Sequence, residues 1–162
     1  MLTTVVSLRW IVVLDIVTGA LEERRSDWYA QDASDNVWYF GEDTKEYTNG
    51  VVCSTPGSWE ADVDGALPGI MMQAGPVQGD AYRQEYRPTV AEDVALIRQL
   101  GASADVPARR YSDVLMTNDR DLLDLNNDED KYFGPGVGLV KLGGLVNGHR
   151  EDVWLVSILA PK

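Results

Sequence analysis

The 162-residue sequence is long enough for one domain with a substantial core, and its 44% hydrophobic and 25% charged residues are typical of a globular chain. Its 26 acids against 14 bases give a net charge of −12 at pH 7. Such a surface repels phosphate backbones and anionic lipid head groups, so the composition argues against nucleic-acid binding and membrane-surface binding. We expect a single β-rich domain over residues 1–162.

The chain contains one cysteine, Cys53, and one histidine, His149. A lone thiol excludes an intrachain disulfide and a cysteine zinc site, and a lone imidazole excludes sites built from several histidines. We interpret Cys53, which follows two valines, as a small apolar filler, and His149 as part of an exposed polar turn. We expect no cofactor, and the scarcity of catalytic residue types argues against an enzyme.

The N-terminal segment is apolar, but Arg9 and Asp15 interrupt it. It lacks the basic start, unbroken apolar stretch and cleavage site of a signal peptide, and it is too short for a membrane span. Its β-branched residues at 9–16 predict a buried strand instead. One expectation is that residues 1–10 are a trimmed or non-native N-terminus of the chain.

Most of the sequence consists of short strand-like runs separated by turn signals. The aspartates of DASD, residues 32–35, supply turn chemistry between two aromatic runs, and Asn49-Gly50 is a strong hairpin signal. Asp64-Gly65 predicts a further turn. The predicted strands lie at residues 9–16, 26–31, 36–41, 45–47, 51–54, 58–62, 67–72, 80–87, 113–117, 131–133, 137–142 and 153–159.

Residues 90–100 are ambiguous. Val90, Val94 and Ile97 recur at helical spacing and Thr89 is a suitable N-cap, so periodicity alone predicts a short helix. The same segment also alternates with a period of two. The fold class predicted for the whole chain is all-β: a single antiparallel barrel or sandwich with meander hairpins and at most one short helix.

Three stretches resemble a family of bacterial secreted proteins and lipoproteins whose function is unknown. They are DWYAQDASDNVWYFGEDTKEYTNG at 27–50, GSWEADVDGALPGIMM at 57–72 and KYFGPGVGLVK at 131–141. The chain departs from the family pattern at Asp35, where glycine is usual, at Gly134, where alanine is usual, and after Leu115.

The resemblance implies an all-β fold, a strand at 90–100 and an extracytoplasmic location, either periplasmic or secreted. It implies no activity. A metagenomic or cassette-type reading frame would account for the lack of a signal peptide in the given sequence.

The aromatic hairpin at 26–43 has two interpretations. Its rings stabilise a sheet through cross-strand pairs, or they form a stacking platform for a ligand. The hairpin interpretation is favoured, and the residues that we predict for ligand binding are Trp28, Trp38, Phe40, Trp59 and Tyr86.

The acidic segment 118–131 is the best candidate for a metal site. Asp124, Asn126 and Asp128 alternate as at the start of a calcium loop. Glu129 and Pro135 occupy the positions where that loop requires glycine and a bidentate acid. We therefore predict no metal site, with only a weak calcium candidate. PGVGLVK, at 135–141, also lacks the elements of a phosphate loop.

Three functions remain open. The first is a non-enzymatic extracytoplasmic binding or structural domain, whose partner is an unidentified small molecule or protein. The second is a carrier with an apolar cavity, and the third is a hydrolase that uses paired carboxylates, Glu60 with Asp62 or Asp27 with Asp32. Residues expected to line a carrier cavity are Trp38, Phe40, Trp59, Met71, Met72 and Tyr86.

Overall fold

The computed structural model describes residues 7–14, 18–55, 57–146 and 149–158. Within these residues the chain is all-β, forming two six-stranded sheets and no helix. No helix suited to crossing a membrane occurs in the described ranges. The strands are β1 (Ser7–Leu14), β2 (Leu21–Gln31), β3 (Val37–Thr48), β4 (Val51–Ser54), β5 (Trp59–Glu60), β6 (Gly69–Met72), β7 (Ala81–Arg83), β8 (Asp93–Val106), β9 (Arg109–Asp121), β10 (Asp128–Gly134), β11 (Gly138–Val146) and β12 (His149–Trp154).

The chain divides into two compact units. The first comprises Met1–Gly75 and Arg83–Asp93, and the second comprises Pro76–Tyr82 and Val94–Lys162. That these units form the single domain expected for residues 1–162 stays a prediction.

The first sheet follows the order β1-β2-β3-β4, and the long strand β3 also pairs with β5 and β6. Strand β5 pairs with β3 at Gly41 and Glu42, and β6 pairs with it nearer its start. Gly41 permits this close approach, because a Cβ at that position would lie 2.2 Å from the backbone oxygen of Trp59. Buried Tyr39, Trp59, Ala66 and Ala91 form the core of this unit.

The predicted turns are confirmed by backbone conformation. Asn49 and Gly50 have φ angles of 53° and 76°, as a two-residue hairpin with positive φ at both positions requires. Asp35 has a φ of 68°, so aspartate adopts the left-handed conformation in this turn. Asp64-Gly65 also forms a turn, but the strands on its two sides pair with β3 instead of with each other.

The second sheet runs β12-β11-β10-β9-β8-β7, so strands that are consecutive in sequence are neighbours in space. This is the predicted meander. Strand β10 pairs antiparallel with both β9 and β11. Buried Ala102, Ala104, Tyr111, Val114 and Val140 form a core cluster in this unit.

Of the two alternatives for residues 90–100, the structure contains the strand and not the helix that periodicity alone predicts. Strand β8 occupies 93–106, and its alternation places Ala95 and Ile97 at 0% and 1% exposure. A segment of about eleven residues has too little intrinsic helical stability to resist pairing with neighbouring strands. The alternation of apolar residues with a period of two therefore matches the structure of this segment, and the helical spacing does not.

Two predictions near the C-terminus are wrong. Strand β12 ends at Trp154 instead of continuing to 159, and Val156 and Ile158 are 66% and 59% exposed. His149 pairs with Val146 in β12 and is therefore not in a turn. An apolar run predicts a strand only where a partner strand continues beside it. Residues 159–162 lie outside the described part.

Cys53 is exposed on β4, so its interpretation as an apolar filler is wrong. The strand predicted at 9–16 corresponds to β1, and residues 15 and 16 lie outside the described ranges. The acidic loop predicted at 118–131 is much shorter, because β9 extends to Asp121 and β10 begins at Asp128.

Candidate functional site

The aromatic hairpin is closed by the side chain of Asp32. Its carboxylate accepts a hydrogen bond from the backbone N–H of Ser34 at 2.8 Å. It also accepts two from Asn36, one from the backbone N–H at 3.0 Å and one from the side-chain Nδ2 at 2.9 Å. It also accepts one from Trp38 Nε1 at 2.9 Å. The bonds from Trp38 and Asn36 lower the pKa of Asp32 to about 2. The carboxylate is therefore ionised at neutral pH and acts as the cap of the turn.

A β-bulge then sets which rings meet. Trp28 pairs with Gly41 and Tyr29 pairs with Tyr39, so Phe40 is the extra residue. The rings of Tyr29 and Tyr39 stack with centroids 5.0 Å apart, and Trp59 contacts Tyr39 edge-on at 5.4 Å. Tyr39 and Trp59 are 2% and 3% exposed. These contacts support the interpretation that aromatic rings of the hairpin stabilise the sheet, and the hairpin rings involved are those of Tyr29 and Tyr39.

The hydroxyl groups of the two stacked tyrosines join a set of charged side chains that we call the buried network: Arg25, Asp27, Tyr29, Tyr39 and Glu42. Asp27 and Glu42 are direct cross-strand partners. Arg25 Nε lies 2.9 Å from Asp27 Oδ1 and 3.6 Å from Glu42 Oε2. Tyr29 donates to Asp27 Oδ2 at 3.0 Å, and Tyr39 donates to Glu42 Oε2 at 2.7 Å. One cation and two phenols thus stabilise two facing carboxylates.

The electrostatics of the buried network fix its protonation. Burial raises the pKa of Tyr39 well above its usual value, and the nearby carboxylate of Glu42 raises it further. Burial alone would lower the pKa of Arg25, but Glu42 and Asp27 outweigh it and raise that pKa well above normal. Tyr39 and Arg25 stay protonated at any ordinary pH. Asp27 has no exposed surface, so its carboxylate is closed to a substrate.

Sequence reasoning named Glu42 only as a possible acceptor for a ligand and missed Arg25, because polar residues in strands are usually exposed. The available signal was the spacing of two between Arg25, Asp27 and Tyr29, which places them on one face of β2. Only the register of β2 against β3 shows that Glu42 joins them.

Two of the predicted ligand-binding residues have structural partners. The indole N–H of Trp59 donates to Glu85 Oε2 at 3.0 Å within the core. Trp38 bonds to Asp32 at the turn. These bonds orient both indoles within the first unit.

The other three predicted ligand-binding residues, Trp28, Phe40 and Tyr86, are half-buried. The guanidinium carbon of Arg83 lies 4.3 Å from the centroid of the Tyr86 ring. A ligand-binding role for all five aromatic residues stays a prediction.

The carboxylate pairs considered for hydrolysis are not arranged as strand alternation predicts. Strand β5 ends at Glu60, and Asp62 lies beyond it in a turn with a φ of 69°. Asp27 belongs to the buried network and Asp32 caps the hairpin turn. Both carboxylates of the second pair are thus held by other groups of the protein.

The calcium candidates are bonded within the protein. Asp124 Oδ1 accepts hydrogen bonds from the N and Nδ2 atoms of Asn126 at 3.0 and 2.9 Å. Asp128 accepts from Asn118 Nδ2 and lies 3.6 Å from Arg120. Among the residues that the structure describes, no three His, Cys, Asp or Glu side chains are grouped to hold a metal.

The hairpin tip between β9 and β10 presents three exposed leucines. Leu122, Leu123 and Leu125 are 45%, 47% and 70% exposed. Asp121 Oδ1 accepts from the backbone N–H of Leu123 at 2.7 Å, and the Asp124 carboxylate fixes the next turn. We call residues 122–125 the leucine tip. Its side chains were missed because DLLDL lies in the acidic segment 118–131, which was considered only as a metal site.

Two shallow depressions occur on the described surface, and both contain cations. The first, of about 350 Å³, is lined by Arg24, Ser26, Asp43, Lys45 and Tyr47 of β2 and β3. The second, of about 340 Å³, is lined by Arg109, Arg110, Tyr111, Ser112, Asp113 and Pro135. Isolated cations within strands gave no sequence signal for either one.

Comparison with protein-family models, curated proteins and solved structures finds no match. The resemblance carried by the stretches at 27–50, 57–72 and 131–141 therefore stays an expectation.

Proposed function

We propose that this protein is a non-enzymatic, extracytoplasmic binding domain that docks a protein partner through the leucine tip. The observation that carries the proposal is the exposure of Leu122, Leu123 and Leu125 at the end of a long hairpin. Exposed single aliphatics are common, whereas three within four residues on a fixed turn form an apolar patch of the kind that marks interaction sites.

The turn makes the tip suitable for binding. The backbone N–H groups of Leu123 and Asn126 donate to the carboxylates of Asp121 and Asp124, so the turn that carries the leucines is formed without a partner. A preorganised loop loses less conformational entropy on association than a mobile one. Fully burying an exposed leucine side chain contributes roughly 1.5–3 kcal/mol, so the three leucines would be the main apolar anchors of a complex whose remaining contacts come from the rim.

Charge complementarity indicates the kind of partner. Beside the leucines lie Asp121, Asp124 and Asp128, of which Asp128 is 3.6 Å from Arg120, whereas buried Asp119 is paired with Lys131 and does not reach the surface. Acids surrounding an apolar tip favour an apolar pocket with a rim of lysine and arginine. The same acids disfavour an anionic lipid surface or a nucleic acid. The partner that fits is a protein with such a pocket.

A basic amphipathic peptide of leucine and lysine serves as the probe. Fluorescence anisotropy would compare its affinity for the natural chain and for the double variant Leu123→Ser, Leu125→Ser. We expect the double variant to bind at least about tenfold more weakly, because two apolar anchors are lost. Since both leucines are exposed, its melting temperature should stay the same.

The matched control is Val51→Ser, Val52→Ser on β4, where the side chains are 67% and 44% exposed. This variant keeps the net charge and removes two exposed aliphatics far from the tip in sequence. Its affinity for the peptide should stay within about twofold of the natural chain. Equal weakening in both double variants would indicate attraction by net charge alone and would refute the proposal.

The proposed function also includes an extracytoplasmic location and a specific arrangement of the two sheets. The extracytoplasmic location and bacterial origin rest on the family resemblance, and fractionation of source cells with an antibody tests the location. A barrel or a sandwich is the finer architecture that we propose for the two sheets. The carrier alternative gains little support from the depressions, since charged and polar side chains line both.

A further inference from the structure

Two glutamates face each other near one end of the β2–β3 pairing. In the register of these strands, Glu23 is the direct cross-strand partner of Glu46. Direct partners have Cβ atoms about 5 Å apart, and like charges placed opposite each other destabilise a sheet. Both residues are half-buried, so their repulsion is screened less than it would be on an open surface. The two glutamates are therefore an unfavourable pair when both are ionised.

The same face of the sheet has an excess of acids. Alternation places Glu23 on the face of β2 that carries Arg25 and Asp27, and Glu42 is the cross-strand partner of Asp27. Arg25 Nε lies 2.9 Å from Asp27 Oδ1 and 3.6 Å from Glu42 Oε2, so its charge is already shared by two carboxylates. Glu23 and Glu46 are thus a third and a fourth acid beside one guanidinium within the described part of this face.

The flanking strands place no basic residue opposite either glutamate. On the β1 side, the residue opposite Glu23 is Val13. Arg9 of β1 lies opposite a position four residues further along β2, which is about 13 Å away. Strand β4, on the other side, has no charged residue, and its thiol, Cys53, donates to the backbone oxygen of Glu46 at 3.5 Å. The charge of the pair is therefore not neutralised from either flanking strand.

The protonation of Glu23 follows from this environment. Burial, as the largest cause, raises the pKa of Glu23 above its ordinary value of 4.5. Attraction by Arg25 lowers the pKa, and the carboxylates of Glu42, Asp27 and Glu46 raise it. The folded state therefore binds this proton more tightly than the unfolded state. The stability that the proton contributes is fully present below pH 4.5 and is lost as the pH rises through the folded pKa.

We propose that Glu23 and Glu46 form an acid-responsive switch that strengthens the pairing of β2 with β3 when one proton binds. Protonation of Glu23 removes the charge opposite Glu46 and creates a carboxyl O–H that can donate a hydrogen bond. It also leaves Arg25 to Asp27 and Glu42 in the buried network. The pairing of β2 with β3 is thus stronger at mildly acidic pH than at neutral pH. This inference does not depend on the leucine tip.

A ¹³C NMR titration of the side-chain carboxyl groups measures the titration midpoint of Glu23 directly. This midpoint should lie above 4.5 in the natural chain, and it should be lower in Glu46→Gln, because one of the charges that raise it is then absent. The matched control is Glu22→Gln, which removes the same charge from the adjacent exposed position on the opposite face of β2. It should leave the midpoint of Glu23 unchanged.

Urea denaturation at about pH 5 and about pH 7.5 measures the effect on stability. Glu23→Gln should unfold at a higher urea concentration than the natural chain at the higher pH, because a neutral amide replaces an unfavourable charge. This difference should shrink at the lower pH, whereas any difference in Glu22→Gln should be the same at both. A Glu23 midpoint at or below 4.5, or one that does not move in Glu46→Gln, would overturn the proposal. Equal pH dependence in Glu23→Gln and the natural chain would also overturn it.

Discussion

The buried network predicts a large loss of stability when Asp27 is replaced by alanine. Asp27 has no exposed surface, lies 2.9 Å from Arg25 and accepts a hydrogen bond from Tyr29. Removing one partner of a fully buried ion pair costs about 3–5 kcal/mol, mostly because the other charge is left uncompensated. Arg25 keeps Glu42 at 3.6 Å, and its side chain is 24% exposed, so we expect the lower end, about 3 kcal/mol.

Urea denaturation followed by tryptophan fluorescence measures this loss as a change in midpoint at constant m-value. The control is Glu60→Ala, an exposed acid on β5, which should change stability by no more than about 0.5 kcal/mol. If the penalty arises from the uncompensated charge of Arg25, the double variant Arg25→Met, Asp27→Ala should be less destabilised than the sum of the single variants.

A loss of unfolding free energy below about 1 kcal/mol in Asp27→Ala, the contribution of one ordinary hydrogen bond, would contradict this prediction. Additive effects of the Arg25 and Asp27 substitutions would also contradict it, because the two side chains would then not form an energetic pair. In either case the hairpin would be held by ring packing, and the charges would be incidental.

Two further predictions concern the turn and a close contact in the first unit. Because the pKa of Asp32 is lowered to about 2, its bonds contribute stability above pH 4 that is lost as the pH falls towards 2. The Trp38 indole N–H resonance should titrate there, and in Asp32→Asn it should not. Gly69→Ala should cost about 1–3 kcal/mol or more, since its Cβ would lie 2.0 Å from the oxygen of Gln84, whereas Gly75→Ala, in open space, should cost much less in the same urea assay.

Local chemistry accounts for what could be predicted of the fold. The φ angles of Asn49, Gly50 and Asp35 follow from residue types that tolerate positive φ, so the turn positions were evident from the chain. Short strands between such turns also predict the all-β class and the meander order of the second sheet. Residues 90–100 fit both helical spacing and strand alternation, so their local sequence does not decide between the two. Pairing with neighbouring strands selects the strand β8.

The sequence by itself thus determined the class of the fold, its turns and its acidic surface, because each depends on residues near one another in the chain. Tertiary structure decided which residues share a face across strands. The bulge at Phe40 brings Tyr29 onto Tyr39, and the register of β2 against β3 places Glu42 beside Asp27 and Arg24 beside Lys45. Such register depends on strand pairing and on packing of the whole sheet, and a shift of one residue would exchange its two faces.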